Sequence, residues 1–178
     1  MSPLTRKIRS SMSSAGLAPS LAPSPVPPPS RQPGVLHLVA EFCPYVRTGG
    51  LGEAVRGIAD HQAGRGRETV VLLPLHRAVR ARAPQLQPLG PPLQIVAPTG
   101  PEHVQLFEEP HRDATMPRVL FAGHDASFDR PGVYGEGGDY ADNHRRFSLL
   151  ARVALQALPQ LFETPPVLHL HDWHAALA

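Results

Sequence analysis

Two short stretches of the chain gather residue types that do chemistry. The first is Arg47-Thr48-Gly49-Gly50-Leu51-Gly52-Glu53. Its glycines let a backbone approach a ligand closely, and the Arg47 guanidinium carries a fork of donors suited to phosphate. If a helix begins at Leu51, its amino end adds free amides and a partial positive charge. The phosphate of a nucleotide is the natural guest of such a turn. The spacing is neither G-x-G-x-x-G nor a P-loop, so a plain tight turn accounts for the same residues. The second stretch is His169-Leu170-His171-Asp172-Trp173-His174. There Asp172 can accept hydrogen bonds from sugar hydroxyls and His174 can donate one, or Asp172 can cap a helix that begins at Trp173.

His169 points opposite to Leu170, which on a strand covered on both faces makes it a hydrogen-bonded core residue. Imidazoles with a carboxylate also form zinc sets, and H-x-H-D-x-H comes within one position of the H-x-H-x-D-H of metallo-β-lactamase-like hydrolases. A metal-dependent hydrolase built on His169, His171, Asp172 and His174 is therefore the alternative reading. A third stretch, Phe128 to Glu136, is a turn-rich loop whose Tyr134 is either a packing anchor or a substrate contact. Cys43, the sole cysteine, has no evident base partner and is read as a small apolar residue.

These stretches need elements to position them. Val35 to Ala40 is an aliphatic, β-branched run that predicts a strand buried on both faces. Leu51, Ala54, Val55, Ile58 and Ala59 follow at helical spacing, with a stop at Gly64-Arg65-Gly66. Thr69 to Leu73, closed by Pro74, predicts a second buried strand. Strand, loop, helix and strand make a βαβ unit with parallel pairing and a right-handed crossover. Residues 84 to 138 are Pro- and Gly-rich and predict an irregular β excursion, with strands at Leu93 to Ala97, His103 to Phe107 and Val119 to Ala122. Asp139 or Asp142 can cap a helix with an apolar face of Phe147, Leu150, Ala154, Ala157, Leu158 and Leu161. Val167 to Leu170 predicts a third buried strand. The fold class is thus α/β, a Rossmann-like parallel sheet with flanking helices. In such sheets ligands bind beyond the carboxyl ends of the strands, where both chemical stretches fall.

Composition narrows the function further. At 178 residues, 42% hydrophobic and 18% charged, the chain suits one core. A single cysteine excludes an internal disulfide and a multi-cysteine zinc site. The net charge of +2 is a tail effect, because Arg6, Lys7, Arg9 and Arg31 precede the first acidic residue, Glu41. No basic stripe interleaved with aromatics follows, so nucleic acid is not an expected partner. No apolar run reaches the about 20 residues that span a bilayer, so no membrane partner is expected either. Residues 1–33 hold eight Pro and eight Ser and read as a disordered tail. That leaves 34–178 as the folded domain. The tail's Ser, Arg and lack of acids are shared with organellar transit peptides, while its Pro run spoils an amphipathic helix, and Met12 offers an alternative start.

Six collinear segments resemble one family, the bacterial glycogen synthases and plant starch synthases. They are Val35 to Tyr45, Arg47 to Glu53, Val70 to Pro74, Phe128 to Tyr134, Asp142-Asn143 with Arg146-Phe147, and His169 to His174. The resemblance implies a retaining glucosyltransferase that moves glucose from ADP-glucose, or UDP-glucose, to the non-reducing end of an α-1,4-glucan. It implies no cofactor and no metal, and a cytoplasmic location in bacteria, or a plastid if the tail is a transit peptide. It implies a GT-B architecture, two Rossmann-like domains across a cleft, of which this chain carries the amino-terminal, acceptor-side part and is an incomplete fragment. The resemblance places Asp172 and Tyr134 near the reacting sugar, and Arg47, Thr48, Gly49, Gly50, Glu53 and His174 among the substrate contacts. Arg47 stands where the family has lysine, and Glu53 where Asp is usual. The Arg and Lys pair with which the family stabilises the departing diphosphate has no counterpart in this chain, so the chain alone is expected to be inactive, and a non-catalytic glucan-binding remnant of the family is the second alternative.

Overall fold

A computed structural model describes residues 32–97, 100–110 and 113–178. The Pro/Ser-rich tail read from 1–33 therefore falls, save for Gln32 and Pro33, outside the described residues.

The first βαβ unit forms where the sequence places it. Strand β1 is Val35–Leu38, helix α1 is Leu51–Gly64 and strand β2 is Thr69–Pro74. Every residue of β1 and β2 is buried, as continuous aliphatic runs require. β1 pairs parallel with β2, Val35 opposite Thr69 through Leu38 opposite Leu72. Helix α1 ends in a Schellman closure at Gly66, whose φ of 78° suits glycine. There the Gly66 amide donates to the Ala63 carbonyl and the Arg67 amide to the Gln62 carbonyl. α1 buries Val55 and Ala59 of the predicted stripe, with Leu51 packed against the core, but Ala54 and Ile58 are exposed and Gly52 and Ala63 turn inward instead. Small residues face inward where the helix lies close to its neighbours. A Cβ on Gly52 would meet the Val46 carbonyl oxygen at 3.2 Å.

The middle of the chain is the expected β excursion, with order the sequence left unspecified. After a short helix α2, Arg77–Arg82, come strands β3 (Gln87–Pro88), β4 (Leu93–Ala97), β5 (Gly100–Glu108) and β6 (Arg118–Gly123). β4, β3 and β6 all pair antiparallel with β5, and β6 returns parallel to β2. A one-turn helix α3, Asp125–Phe128, leads through the 129–142 loop into the long helix α4, Asn143–Leu161. α4 buries Phe147, Leu150, Ala154, Ala157 and Leu161 as predicted, together with Leu149 and Val153. Asp142 is its N-cap residue, yet its carboxylate does not cap. It takes a forked ion pair from Arg130, at 2.9 and 2.6 Å.

Strand β7, Val167–Leu170, closes the sheet parallel to β1, with His37 opposite His169. The order is β3-β5-β6-β2-β1-β7, with β4 attached to β5. β7 was read as a buried strand; Val167 and Leu170 are instead exposed, because β7 has a strand partner on one side only among the described residues. A three-residue 3-10 turn, Trp173–Ala175, follows. No described helix is long and apolar enough to cross a membrane.

The topology has one switch point. The chain leaves β1 toward β2 and β6 on one side, then returns through α4 to β7 on the other. Beyond the carboxyl ends of β1 and β7 a crevice is therefore expected, and both chemical stretches lie at its rim.

Candidate functional site

Glu41 organises the loops at this end of the sheet. It lies three residues beyond the end of β1 and is 3% exposed. One carboxylate oxygen accepts the amides of Thr48 and Gly49, the latter at 3.1 Å. The other accepts the Tyr134 hydroxyl at 2.7 Å. One buried charge thus ties the glycine turn to the 129–142 loop. Composition and spacing do not mark Glu41 as special, since a single carboxylate carries no periodic signal. Its place as the first acid after a buried strand is the one available clue.

The turn itself is built for access. Gly50 is the N-cap residue of α1 and supplies no side-chain cap. A Cβ on Gly49 or Gly50 would meet nothing within 4 Å. Packing therefore does not demand glycine at either place, and the space before the helix amides is open to a guest. Arg47 and Glu53 form an ion pair with each other, both side chains about 60% exposed. The two charged residues assigned to substrate contacts thus stand together at the mouth of the turn. An exposed pair of this kind contributes little to stability, so an incoming anion can compete for Arg47 at small cost.

Tyr134 is held from both ends. Its hydroxyl is on Glu41, and its carbonyl accepts the Asn143 side-chain amide at 2.8 Å. Asn143 in turn accepts a 2.6 Å bond from buried Arg146, whose guanidinium also donates to the carbonyls of Ser127 and Val133. The loop cannot relax around Gly135, where a Cβ would lie 1.7 Å from the Gly138 carbonyl oxygen. Burial, then the bond to Glu41, pushes the Tyr134 phenol well above its ordinary range. The group stays a neutral donor at any working pH.

Asp172 and His174 arrive from β7. The Asp172 backbone sits at φ 63° and ψ −179°, a region essentially reserved for glycine. Its side chain is exposed and accepts the Trp173 amide at 2.8 Å. The capping role open in the sequence is therefore observed, with one carboxylate oxygen left over. The His174 ring is 1% exposed and packs 5.7 Å from Tyr134 and 5.4 Å from Phe147. Neither of its ring nitrogens has a hydrogen-bond partner among the described residues. Burial lowers its pKa, against the opposing pull of Asp172 and Glu41. His76, just after β2, is likewise buried, with Nε2 on the Ala40 carbonyl at 3.1 Å and Nδ1 unpartnered.

The zinc-like grouping read from H-x-H-D-x-H is corrected by the structure. Among the described residues, the ring nitrogens of His169 and His171 cluster with His37 of β1, and neither Asp172 nor His174 joins them. Parallel register places His37 beside His169, which sequence spacing within one strand cannot reveal.

Comparison with known proteins shows the family. The family model described as "Starch synthase catalytic domain" matches residues 34–178. The glycogen synthase of Anaeromyxobacter sp. (strain K) is 36% identical over 151 residues, covering 80% of this chain and 29% of that protein. That of Myxococcus xanthus is 35% identical over 145 residues, covering 80% and 30%. A solved structure, the catalytic domain of starch synthase IV from Arabidopsis thaliana bound to ADP and acarbose, superimposes with a TM-score of 0.69. It is 27% identical, covering 82% of this chain and 29% of that one. The chain thus spans about 29% of the length of the relatives it matches.

Proposed function

This chain belongs to the starch synthase catalytic-domain family, and from that premise we propose that it is the acceptor-side part of a glucosyltransferase. The reaction is transfer of glucose from ADP-glucose, or UDP-glucose, to the non-reducing end of an α-1,4-glucan with retention. The observation that carries this reading is the Glu41 bridge between the glycine turn and Tyr134, beyond the carboxyl end of β1. Tyr134 is a neutral phenol tied to Glu41, Asp172 carries an exposed carboxylate with one oxygen free, and Arg47 an exposed guanidinium. Sugar hydroxyls match the Asp172 carboxylate, and a diphosphate matches Arg47. The ADP and acarbose bound to the Arabidopsis relative support both assignments.

In this reading Asp172 and Tyr134 stand at the reacting sugar, while Thr48, Gly49 and Gly50 present backbone to the donor. Arg47 and His174 hold substrate, and Glu53 restrains Arg47 until the anion arrives. The reaction requires no metal and no cofactor. Its bacterial relatives support a cytoplasmic setting.

Two measurements on the 178-residue chain test the proposal. Calorimetry with maltoheptaose should show binding that Tyr134→Ala weakens about tenfold or more. Radiolabel transfer from ADP-glucose to glycogen should be absent, because charges to stabilise the departing ADP are lacking here. Glucan extension by this chain alone would overturn the division of labour, and failure to bind any maltooligosaccharide would overturn the acceptor assignment.

A further inference from the structure

His37, His169 and His171 form a cluster that the proposed transfer does not use. Parallel pairing of β1 with β7 sets His37 beside His169, and His171 follows two residues on, so all three imidazoles share one face of the sheet. The same face carries α1, whose Gln62 side-chain carbonyl lies 2.8 Å from His37 Nε2. One ligand nitrogen from each ring lies within 4.8 Å of the others. His37 is fully buried and His171 nearly so.

The hydrogen bonds fix where the lone pairs point. Gln62 accepts at Nε2, so His37 carries its proton there and leaves Nδ1 as a lone pair aimed at the cluster. That Nδ1 lies 2.8 Å from His171 Nε2. An imidazole whose remote N–H is held by an amide or carboxylate oxygen, with its other nitrogen turned inward, is the arrangement found around metal-bound histidines. The His169 ring packs against both neighbours, at 4.9 and 4.1 Å between centroids, and makes no side-chain hydrogen bond among the described residues. Two nitrogens on one tetrahedral zinc at 2.0–2.1 Å stand about 3.3 Å apart, wider than the 2.8 Å between His37 Nδ1 and His171 Nε2 and inside the 4.8 Å within which the three nitrogens lie. Small ring rotations suffice to reach it.

We infer that His37, His169 and His171 form a three-nitrogen site for a borderline divalent transition metal, Zn²⁺ foremost, which ties the edge strand β7 to β1. The absence of any carboxylate from the triad selects against Mg²⁺ and Ca²⁺. Because His171 immediately precedes Asp172, the metal also fixes the strand end that carries the exposed carboxylate. On binding, the proton that His171 donates through Nε2 moves to its Nδ1, and no net charge leaves the protein.

The test uses the 178-residue chain, stripped with chelator and titrated with Co²⁺ by visible absorption and with Zn²⁺ by calorimetry. One equivalent should bind, with the intense visible bands of a tetrahedral cobalt centre, and Zn²⁺ should raise the melting temperature. His169→Ala, at a half-buried ring, should weaken affinity at least 100-fold and abolish the thermal shift. Gln62→Leu should weaken it about 10- to 100-fold, as loss of a partner behind a metal-bound histidine does. His103→Ala, at an exposed imidazole on β5, should change nothing. Circular dichroism of each variant without metal establishes that it is folded, and His171→Gln replaces any variant that is not. Failure to bind one equivalent, or equal affinity in His169→Ala and the parent chain, would overturn the site.

Discussion

The Glu41 carboxylate accepts the Tyr134 hydroxyl at 2.7 Å across 93 positions of sequence, while its second oxygen holds the amides of Thr48 and Gly49. Removing the carboxylate strands three donors at once. Hydrogen bonds to a charged group contribute about 1.5–3 kcal/mol each when buried. Glu41→Ala should therefore lower unfolding free energy by about 3 kcal/mol or more in urea denaturation. Tyr134→Phe, which removes one donor and leaves the amides satisfied, should cost about 1–2 kcal/mol. Equal costs for the two would show that Glu41 does not join the turn to the loop.

A second expectation concerns acid. His76 is 1% exposed, and burial brings its pKa down to about 4 from 6.5, against the raising effect of its bond to the Ala40 carbonyl. A base whose folded pKa is depressed resists protonation in the fold, so its contribution is complete above pH 6.5 and is lost as pH falls toward 4. Stability should drop by of order 2 kcal/mol between about pH 6.5 and about pH 4.5 through this group. The fall in denaturation midpoint across that window should be smaller in His76→Gln, the remainder coming from the other buried histidines, His37, His171 and His174.

The backbone at Asp172 gives a sign that side-chain contacts alone would not. Its conformation costs a non-glycine residue about 1–3 kcal/mol, while replacing a capping residue by glycine costs only a few tenths. Asp172→Gly should therefore raise the melting temperature, and Asp172→Ala, which keeps the strain and loses the bond to Trp173, should lower it. If Asp172 also serves the transferred sugar, both substitutions reduce maltooligosaccharide affinity in calorimetry.

Glycines divide into two kinds here. Gly135→Ala would put a methyl 1.7 Å from the Gly138 carbonyl oxygen, and Gly49→Ala would meet nothing. The first should be poorly folded by circular dichroism. The second should match the parent in stability, and a loss of nucleotide affinity in Gly49→Ala would mark that open space as a ligand's place.

Much of the architecture is legible from periodicity because it rests on long aliphatic runs: β1, β2, β4, β7 and α4 fall where the sequence places them. α2, α3 and β3 are too short to show a period. The buried face of α1 is only half legible, because Gly52 and Ala63, rather than Ala54 and Ile58, turn inward where the helix packs closely. Residue spacing brought Arg47, Tyr134 and Asp172 to notice, but Glu41 and His37 act through partners 93 and 134 positions away. The strand order, with β7 beside β1, brings His171 to His37, and the 129–142 loop brings Tyr134 to Glu41.

That strand order has a kinetic side. β1 is among the earliest segments of the folded region, yet it meets β7 only after the whole β excursion and α4 have been threaded between them. Contacts so distant along the chain are slow to close. The crevice is consequently among the last features to take shape, after β1, β2 and β6 have joined. Trp173, the sole tryptophan, lies just after β7, tilted against Tyr134 at 5.9 Å and edge-to-face with Phe147 at 5.3 Å. Its fluorescence in refolding should lag the backbone signal, and would so time the closing of β7 onto β1.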